Sequence, residues 1–212
     1  MMDAFKEFFD IVGVFFVLYM IGYASFLFLA VTVGTSELYQ MKRRNQLKNE
    51  LLGEYYVPVT IVVPAYNEEV TIEANIRSLL ALDYKLYEIV VVDDGSSDDT
   101  SKVVRDAFHM QQISRPIQRK IPCQAEEVIY ESYEWKVPIT LIRKKNGGKA
   151  DALNMGINAA KYPYFICMDA DSVLQYDSLE KIVRPVLEDS SVVAVGGVVR
   201  PCNGTEIHDG HV

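Results

Sequence analysis

The chain has 212 residues, of which 50% are hydrophobic and 24% charged, and its formal net charge is −8 at pH 7. This composition excludes a disordered chain, and the negative charge argues against nucleic-acid binding. The length is sufficient for one domain and an appendage. An anionic substrate would depend on local cations, backbone amides or a metal ion, because the overall field repels it. The three cysteines form no C-x-x-C pair, which indicates reduced thiols, and Cys167 is expected to be a small core residue.

The N-terminal part contains an apolar run at residues 11–33 without a charged side chain. A helix of this length spans about 34 Å, enough for the hydrocarbon core of a membrane. Acidic residues before the run, and the lack of a clean cleavage site after it, argue against a signal peptide. We therefore predict a transmembrane helix within residues 1–35. Basic residues follow it and predict a cytoplasmic flank, with the N-terminus outside: Lys42, Arg43, Arg44 and Lys48.

Residues 36–53 are expected to form either a basic interfacial helix or a solvated linker. From residue 54 to 212, short apolar runs alternate with helical patterns, which is typical of a parallel α/β sheet. The predicted strands are 59–63, 88–92, 139–142, 164–168 and 192–199. The predicted inward-facing helical residues are Ile72, Ile76, Leu79 and Leu80; Val103, Val104 and Phe108; Leu153, Ile157 and Ala160; and Leu179, Ile182, Val183, Val186 and Leu187. Residues 109–138 lack a clear period and are predicted to be a surface insertion.

Two aspartates follow the apolar run 164–168, which has the composition of a buried strand. Asp169 and Asp171 are two positions apart, so an extended chain points both to one side. Two hard oxygen donors there could hold Mg²⁺ or Mn²⁺, ions that usually also bind substrate phosphates. The alternative is a solvated turn in which the aspartates cap the next helix.

Polar residues also follow the first and second predicted strands, and ligands of open α/β sheets bind beyond such strand ends. Tyr66 could stack on a base, and Asp94 could accept a hydrogen bond from an imide N–H, a donor found in uracil. Lys149 follows two glycines at a helix start, where a cation and free amides suit a diphosphate. Turn and capping roles are the alternatives for these residues. Lys144 and Lys145 are predicted to be a solvated charge run, and Arg143 has no assigned partner.

Four motifs stand in order along the chain, at residues 59–68, 91–100, 147–154 and 168–171. Together they resemble family 2 glycosyltransferases, above all the membrane-bound processive synthases of poly-N-acetylglucosamine, hyaluronan and cellulose. The resemblance implies a nucleotide-diphospho-sugar transferase fold of the GT-A type, and a UDP-sugar donor with Mg²⁺ or Mn²⁺. It implies that Asp171 is the principal metal ligand, with Asp169 turned toward the donor sugar or ribose and sharing the metal site. The implied nucleotide-sugar-binding residues are Pro64, Tyr66, Glu68, Asp93, Asp94, Lys149, Asn154 and Asp169.

The resemblance implies a membrane-anchored inverting transferase that moves a sugar, most closely N-acetylglucosamine, to a growing polysaccharide. The catalytic domain would be cytoplasmic at the inner membrane. The family's general-base aspartate and its Gln-x-x-Arg-Trp motif do not occur, so the general base is expected beyond Val212. The alternatives are a lipid-phosphate sugar transferase with a lipid-linked acceptor and a non-catalytic nucleotide-binding subunit. A phospho-acceptor receiver domain is disfavoured because Lys149 precedes Asp169.

Overall fold

The computed structural model describes residues 2–52 and 56–198, and the chain divides into two compact units, Met1–Tyr55 and Tyr56–Val212. The first unit is one helix, α1 (Met2–Leu52). Within it, Ile11–Gln40 contains an 18-residue window with a mean hydropathy of 2.3 and is long and apolar enough to cross a membrane. The hydroxyls of Ser25, Thr32 and Thr35 donate to carbonyls four residues earlier, so these polar groups are satisfied inside the helix. Helix α1 continues past residue 36, where the sequence predicted a separate juxtamembrane segment to begin.

The second unit contains a six-stranded sheet in the order β3-β4-β5-β2-β1-β6. The strands β5, β2, β1 and β6 are parallel, whereas β3 and β4 are antiparallel to their neighbours. The parallel strands therefore end at one common edge. The elements are β1 (Val59–Ala65), α2 (Ile72–Leu80), β2 (Tyr87–Asp93), α3 (Thr100–Ala107), β3 (Gln111–Ile113), β4 (Glu126–Ser132), β5 (Ile139–Lys144), α4 (Lys149–Ala159), β6 (Tyr164–Cys167) and α5 (Ser178–Glu188).

The central strands are buried on both faces, as expected of a parallel sheet covered by helices. Alternate residues of β2 point to opposite sides: Ile89 and Val91 join one apolar cluster, and Val90 and Val92 join another. The first cluster takes its helical residues from α2, α3 and α5, and the second takes them from α4. This arrangement has helices on both faces of the sheet, which is the predicted α/β class.

The inward face of α4 differs from the prediction by one residue. Ala152, Met155, Gly156 and Ala159 are buried, whereas the predicted residues Leu153, Ile157 and Ala160 are only partly buried. The physical reason is close approach: a Cβ added at Gly156 would lie 2.2 Å from Cγ1 of Val62 on β1. The small residues of α4 and Met155 therefore face the sheet, while Leu153 and Ile157 lie at the margin.

The segment 109–138 is more than a surface insertion, because its strands β3 and β4 extend the sheet beyond β5. The pairing of β4 with β5 contains a register shift between Glu126 and Val128. Such an irregularity interrupts the two-residue alternation by which strands are recognised. β3 has only three residues, which is too short for a periodic signal.

Two further predictions are wrong because of strand position. β6 is an edge strand, so Tyr164 and Phe165 are about half exposed, and Cys167 is exposed rather than a core residue. No strand forms over 192–198, the described part of the last predicted strand; Val193 is 98% exposed there. A β-branched run forms a strand only when another strand supplies hydrogen-bonding partners.

Candidate active site

A cavity of about 330 Å³ lies where β1, β2 and β6 end and α4 begins. This is the edge at which open α/β sheets bind ligands. Seven of the predicted site residues line the cavity, and they come from four separate parts of the chain: Pro64, Tyr66, Glu68, Asp94, Lys149, Asp169 and Asp171. The other lining residues are Ala65, Asn146, Gly148, Ala152 and Ala170. One sequence signal could have indicated Asn146, since it directly precedes the glycine pair.

Asp94 is buried at the end of β2 and holds the glycine-containing loop that precedes α4. Its Oδ1 accepts a hydrogen bond from the Gly147 amide at 3.0 Å, and its Oδ2 accepts one from the Gly148 amide at 2.7 Å. Gly148 has φ of +89°, a conformation that favours glycine. The carboxylate thus fixes the loop from which Lys149 enters the cavity.

Lys144 is completely buried beneath this loop, so its predicted place in a solvated charge run is wrong. Its ammonium donates to Asp94, to Oδ2 of Asp151 at 2.8 Å and to the Lys145 carbonyl at 2.8 Å. Burial lowers the pKa of Lys144, but hydrogen bonds to Asp151 and Asp94 outweigh burial and raise that pKa. For Asp151, burial alone would raise the pKa, and the Lys144 ammonium lowers it. The sequence contained a signal for this burial that the prediction missed. Side chains two positions apart on a strand point to the same face, and Lys144 lies two residues after the buried Ile142 on β5.

Asp93 lies under the cavity and does not line it. Its Oδ1 accepts from the Ser96 amide at 2.8 Å, and its Oδ2 accepts from the Ser101 hydroxyl. Arg143, for which the sequence suggested no partner, lies 3.4 Å from Asp93 Oδ2 and donates to the Ser96 carbonyl at 3.2 Å. These contacts fasten the turn after β2 on which Asp94 stands.

The loop after β1 is tied to the turn after β2. Asn67 has φ of 57°, and its Oδ1 accepts from the Ser97 amide at 2.8 Å. The Glu68 amide donates to Thr100 Oγ1 at 2.8 Å, and the Glu68 carboxylate accepts from Thr71 Oγ1 at 2.6 Å. With its neighbours anchored in this way, the ring of Tyr66 remains 52% exposed at the cavity wall.

The loop after β6 carries the two carboxylates. Asp169 Oδ1 lies 2.5 Å from Lys149 Nζ, while Asp171 makes no hydrogen bond or ion pair with the part of the chain that is described. Asn75 on α2 supports the loop by donating to the Ser172 carbonyl at 2.6 Å and lies 3.5 Å from the Asp169 carbonyl. Ala170 between the carboxylates is buried.

These two carboxylates fit the chemistry of Mg²⁺ or Mn²⁺. Such ions take hard oxygen ligands, and Mg²⁺ commonly binds one or two carboxylates together with substrate phosphates and water. Among the side chains that the structure describes, no group of three or more from His, Cys, Asp and Glu could hold a metal alone. A site made of Asp169 and Asp171 would therefore depend on oxygen ligands from the substrate.

Asn154 does not reach the cavity. It lies on α4, and its Nδ2 donates to the Pro122 carbonyl at 3.2 Å. This contact links α4 to the segment between β3 and β4. The structure therefore brings seven of the nine candidate residues to the cavity wall, places Asp93 beneath it and leaves Asn154 aside.

Residues 60–121 and 124–211 match the family described as Glycosyl transferase family 2. The chain belongs to this family. Over 149 residues it is 32% identical to poly-beta-1,6-N-acetyl-D-glucosamine synthase of Staphylococcus aureus (strain COL), and 28% identical to the Staphylococcus epidermidis protein of the same name. Each alignment covers 70% of this chain and 30% of the relative, so the aligned part of this chain spans less than a third of those proteins.

Solved structures also match this chain. A Pyrobaculum calidifontis mannosyltransferase in complex with GDP-Man and Mn²⁺ is 28% identical with a TM-score of 0.48, covering 63% of this chain and 33% of that one. S. aureus TarS 1–349 in complex with UDP-GlcNAc is 22% identical with a TM-score of 0.46, covering 62% and 32%. The family assignment and the mostly parallel sheet together confirm the predicted nucleotide-diphospho-sugar transferase fold.

Proposed function

We propose that this chain carries the donor-binding and metal-binding part of a membrane-anchored inverting glycosyltransferase. The donor is a UDP-sugar, UDP-N-acetylglucosamine by similarity to the staphylococcal synthases, and the acceptor is a growing polysaccharide. The single observation that supports this proposal is the convergence on one cavity of seven candidate residues from the ends of β1, β2 and β6 and the start of α4.

The cavity offers complementary groups to each part of a nucleoside diphosphate. The Tyr66 ring is available for stacking on a base, and Asp94 is available to accept from a base N–H. At the other end, Lys149 is the first residue of α4, where free backbone amides and the positive end of the helix dipole favour phosphate oxygens. A bound diphosphate competes with Asp169 for the Lys149 ammonium, because both are anions at the same cation.

Asp171 and Asp169 are the residues that would hold Mg²⁺ or Mn²⁺. When bound, the ion would offset negative charge on the departing diphosphate. Lys149, whose Nζ lies 2.5 Å from Asp169 Oδ1, acts in the same sense by donating to the oxygens on which this charge develops. Asn75 keeps the carboxylate loop in place through the Ser172 carbonyl.

The membrane proposal rests on α1. Its stretch Ile11–Gln40 is uncharged except for Glu37 and satisfies its backbone polar groups internally, as a membrane span must. Basic residues follow, and their bias toward the cytoplasmic side would place Tyr56–Val212 in the cytoplasm. UDP-sugars would then be bound on the cytoplasmic side.

The proposal can be tested by calorimetry on the purified 212-residue chain in detergent. UDP and GDP are titrated with Mn²⁺ and with a chelator. We expect Mn²⁺-dependent binding of UDP in preference to GDP. Asp171→Asn should weaken binding by about tenfold or more, or about 1.4 kcal/mol, while Asp106→Asn, which changes an exposed carboxylate on α3, should leave it unchanged. Equal affinity for both nucleotides with and without metal would overturn the proposal.

A further inference from the structure

The buried ammonium of Lys144 is unusual in this chain because it lies directly under the cavity without lining it. Its three partners are the Asp94 carboxylate, the Asp151 carboxylate and the Lys145 carbonyl. An ammonium has three N–H donors, so this set uses all of them. Burial of an ammonium is costly unless it is fully paired, and this one is. These contacts therefore fix the position of the Lys144 ammonium, and the ammonium in turn fixes the position of the Asp94 carboxylate.

Counting the hydrogen bonds of Asp94 shows what is left for a ligand. A carboxylate has about four acceptor sites, two on each oxygen. Oδ1 accepts from Lys144 and from the Gly147 amide, which uses both of its sites. Among the described residues, Oδ2 accepts only from the Gly148 amide. One acceptor site remains, on Oδ2 of a residue that lines the cavity.

We propose that Lys144 is a positioning residue for base recognition: by holding Asp94 Oδ1 it fixes the free acceptor site of Oδ2 at the cavity, where this oxygen accepts from a base N–H donor and repels an acceptor nitrogen. Uracil has such a donor at its imide, and cytosine presents an unprotonated ring nitrogen there. This inference rests on the proposed nucleotide function. It assigns base discrimination to a residue that does not touch the nucleotide.

Asp151, on α4, is the second carboxylate that holds the Lys144 ammonium. Its Oδ2 holds the Lys144 ammonium, and its carboxylate also accepts from the Gln124 amide at 3.1 Å. A Cβ added at Gly147 would lie 2.6 Å from Asp151 Oδ2, so the loop passes directly over this carboxylate. Lys144, Asp94 and Asp151 thus connect β5, β2 and α4 at the point where the loop is shaped.

The test compares the dissociation constants of UDP and CDP for the 212-residue chain in detergent with Mn²⁺. The variant is Lys144→Met, and the matched control is Lys145→Met, the next residue along the chain, which is exposed. Folding of each variant is verified by thermal unfolding. The wild type should prefer UDP over CDP by about tenfold or more. In Lys144→Met the carboxylate is less well fixed and this ratio should fall by about threefold or more, whereas Lys145→Met should keep the wild-type ratio.

The ratio separates a positioning role from a merely structural one. Loss of a structural support would weaken UDP and CDP binding by the same factor, so a folded Lys144→Met variant with the wild-type ratio would overturn the inference. If Lys144→Met does not fold, Asp151→Asn replaces it, because this change keeps the ammonium but removes one of its charged partners. That variant should lower the ratio by about threefold, and an unchanged ratio would overturn the inference. A wild type that binds neither nucleotide would instead refute the proposed function on which the inference depends.

Discussion

At the scale of single residues, Gly156 decides how closely α4 approaches the sheet. A Cβ added there would lie only 2.2 Å from Val62 Cγ1, which is too short to be accommodated without movement. We therefore expect Gly156→Ala to destabilise the chain by about 1–3 kcal/mol through overpacking, despite the better helix propensity of alanine. Chemical denaturation measures this change. The double variant with Val62→Ala should lose less than the sum of the two single variants, and simple additivity would contradict the explanation.

Glu131 provides a prediction on pH. Burial alone would raise its pKa, but the hydrogen bond from Tyr133 and the charges of Lys161 and Arg115 lower that pKa below its ordinary value of 4.5. A carboxylate with a lowered folded-state pKa stabilises the fold above its unfolded-state pKa, and this contribution is lost as the pH falls through the folded-state pKa.

We therefore expect Glu131→Gln to cost about 1–3 kcal/mol at neutral pH. The difference from the wild type should shrink as the pH falls below 4.5. Urea unfolding across this range measures it. Glu134→Gln, which changes an exposed carboxylate paired with His109, is the control and should differ little at any pH. A constant difference between Glu131→Gln and the wild type at all pH values would contradict the prediction.

At the scale of elements, α2 supports the loop that carries the proposed metal ligands. Asn75 is buried and donates to the Ser172 carbonyl at 2.6 Å. We expect Asn75→Ala to weaken Mn²⁺-dependent UDP binding by about threefold to tenfold, because the freed loop must be ordered again on binding. Calorimetry measures this effect. The control is Asn158→Ala, which removes a similar bond to the Ile121 carbonyl away from the cavity and should affect stability alone.

The elements also show what the sequence could and could not predict. β1 and β2 were predictable because their β-branched residues are buried on both faces. The antiparallel β3 and β4 were not, since pairing at the sheet edge depends on a partner far along the chain and is interrupted by a register shift. The prediction placed the inward face of α4 on its large aliphatic residues. In the structure Gly156 faces Val62 instead, and the pattern of large aliphatic residues carries no information on such a close approach.

The same distinction holds for the candidate site. Residues at strand ends were predictable as a group, because parallel strands end at a common edge, and six of them line one cavity together with Lys149 at the start of α4. Lys144 was missed because a lysine beside another lysine suggests solvent, whereas its burial depends on Asp94 and Asp151, which are brought to it by β2 and α4. Asn154 lies beside the segment between β3 and β4 and not at the cavity wall, and a resemblance in sequence does not specify the side of a helix on which a residue lies.

At the scale of the whole molecule, the composition of α1 and the charges that follow it predict how the chain is oriented in a membrane. The described helix includes Ile11–Gln40, which is long enough to span the hydrocarbon core. A bias of Lys and Arg toward the cytoplasmic flank then sets the orientation. We expect Tyr56–Val212 to be digested by protease added to inside-out vesicles and protected in right-side-out vesicles.

Removing the basic charges that follow the membrane span should change which vesicles protect Tyr56–Val212 from protease. Replacing Lys42, Arg43, Arg44 and Lys48 with Gln removes the charge bias, so a fraction of the chains should become protected in inside-out vesicles. The control replaces four exposed lysines of the second unit with Gln, namely Lys85, Lys102, Lys120 and Lys181. These lie far along the chain from the span, and the positive-inside bias acts within about 15–20 residues of a membrane helix, so this control should keep the wild-type orientation. Protection of the second unit in wild-type inside-out vesicles would show that the predicted topology is inverted. Release of the wild-type chain from membranes by alkaline carbonate would show that α1 does not span them.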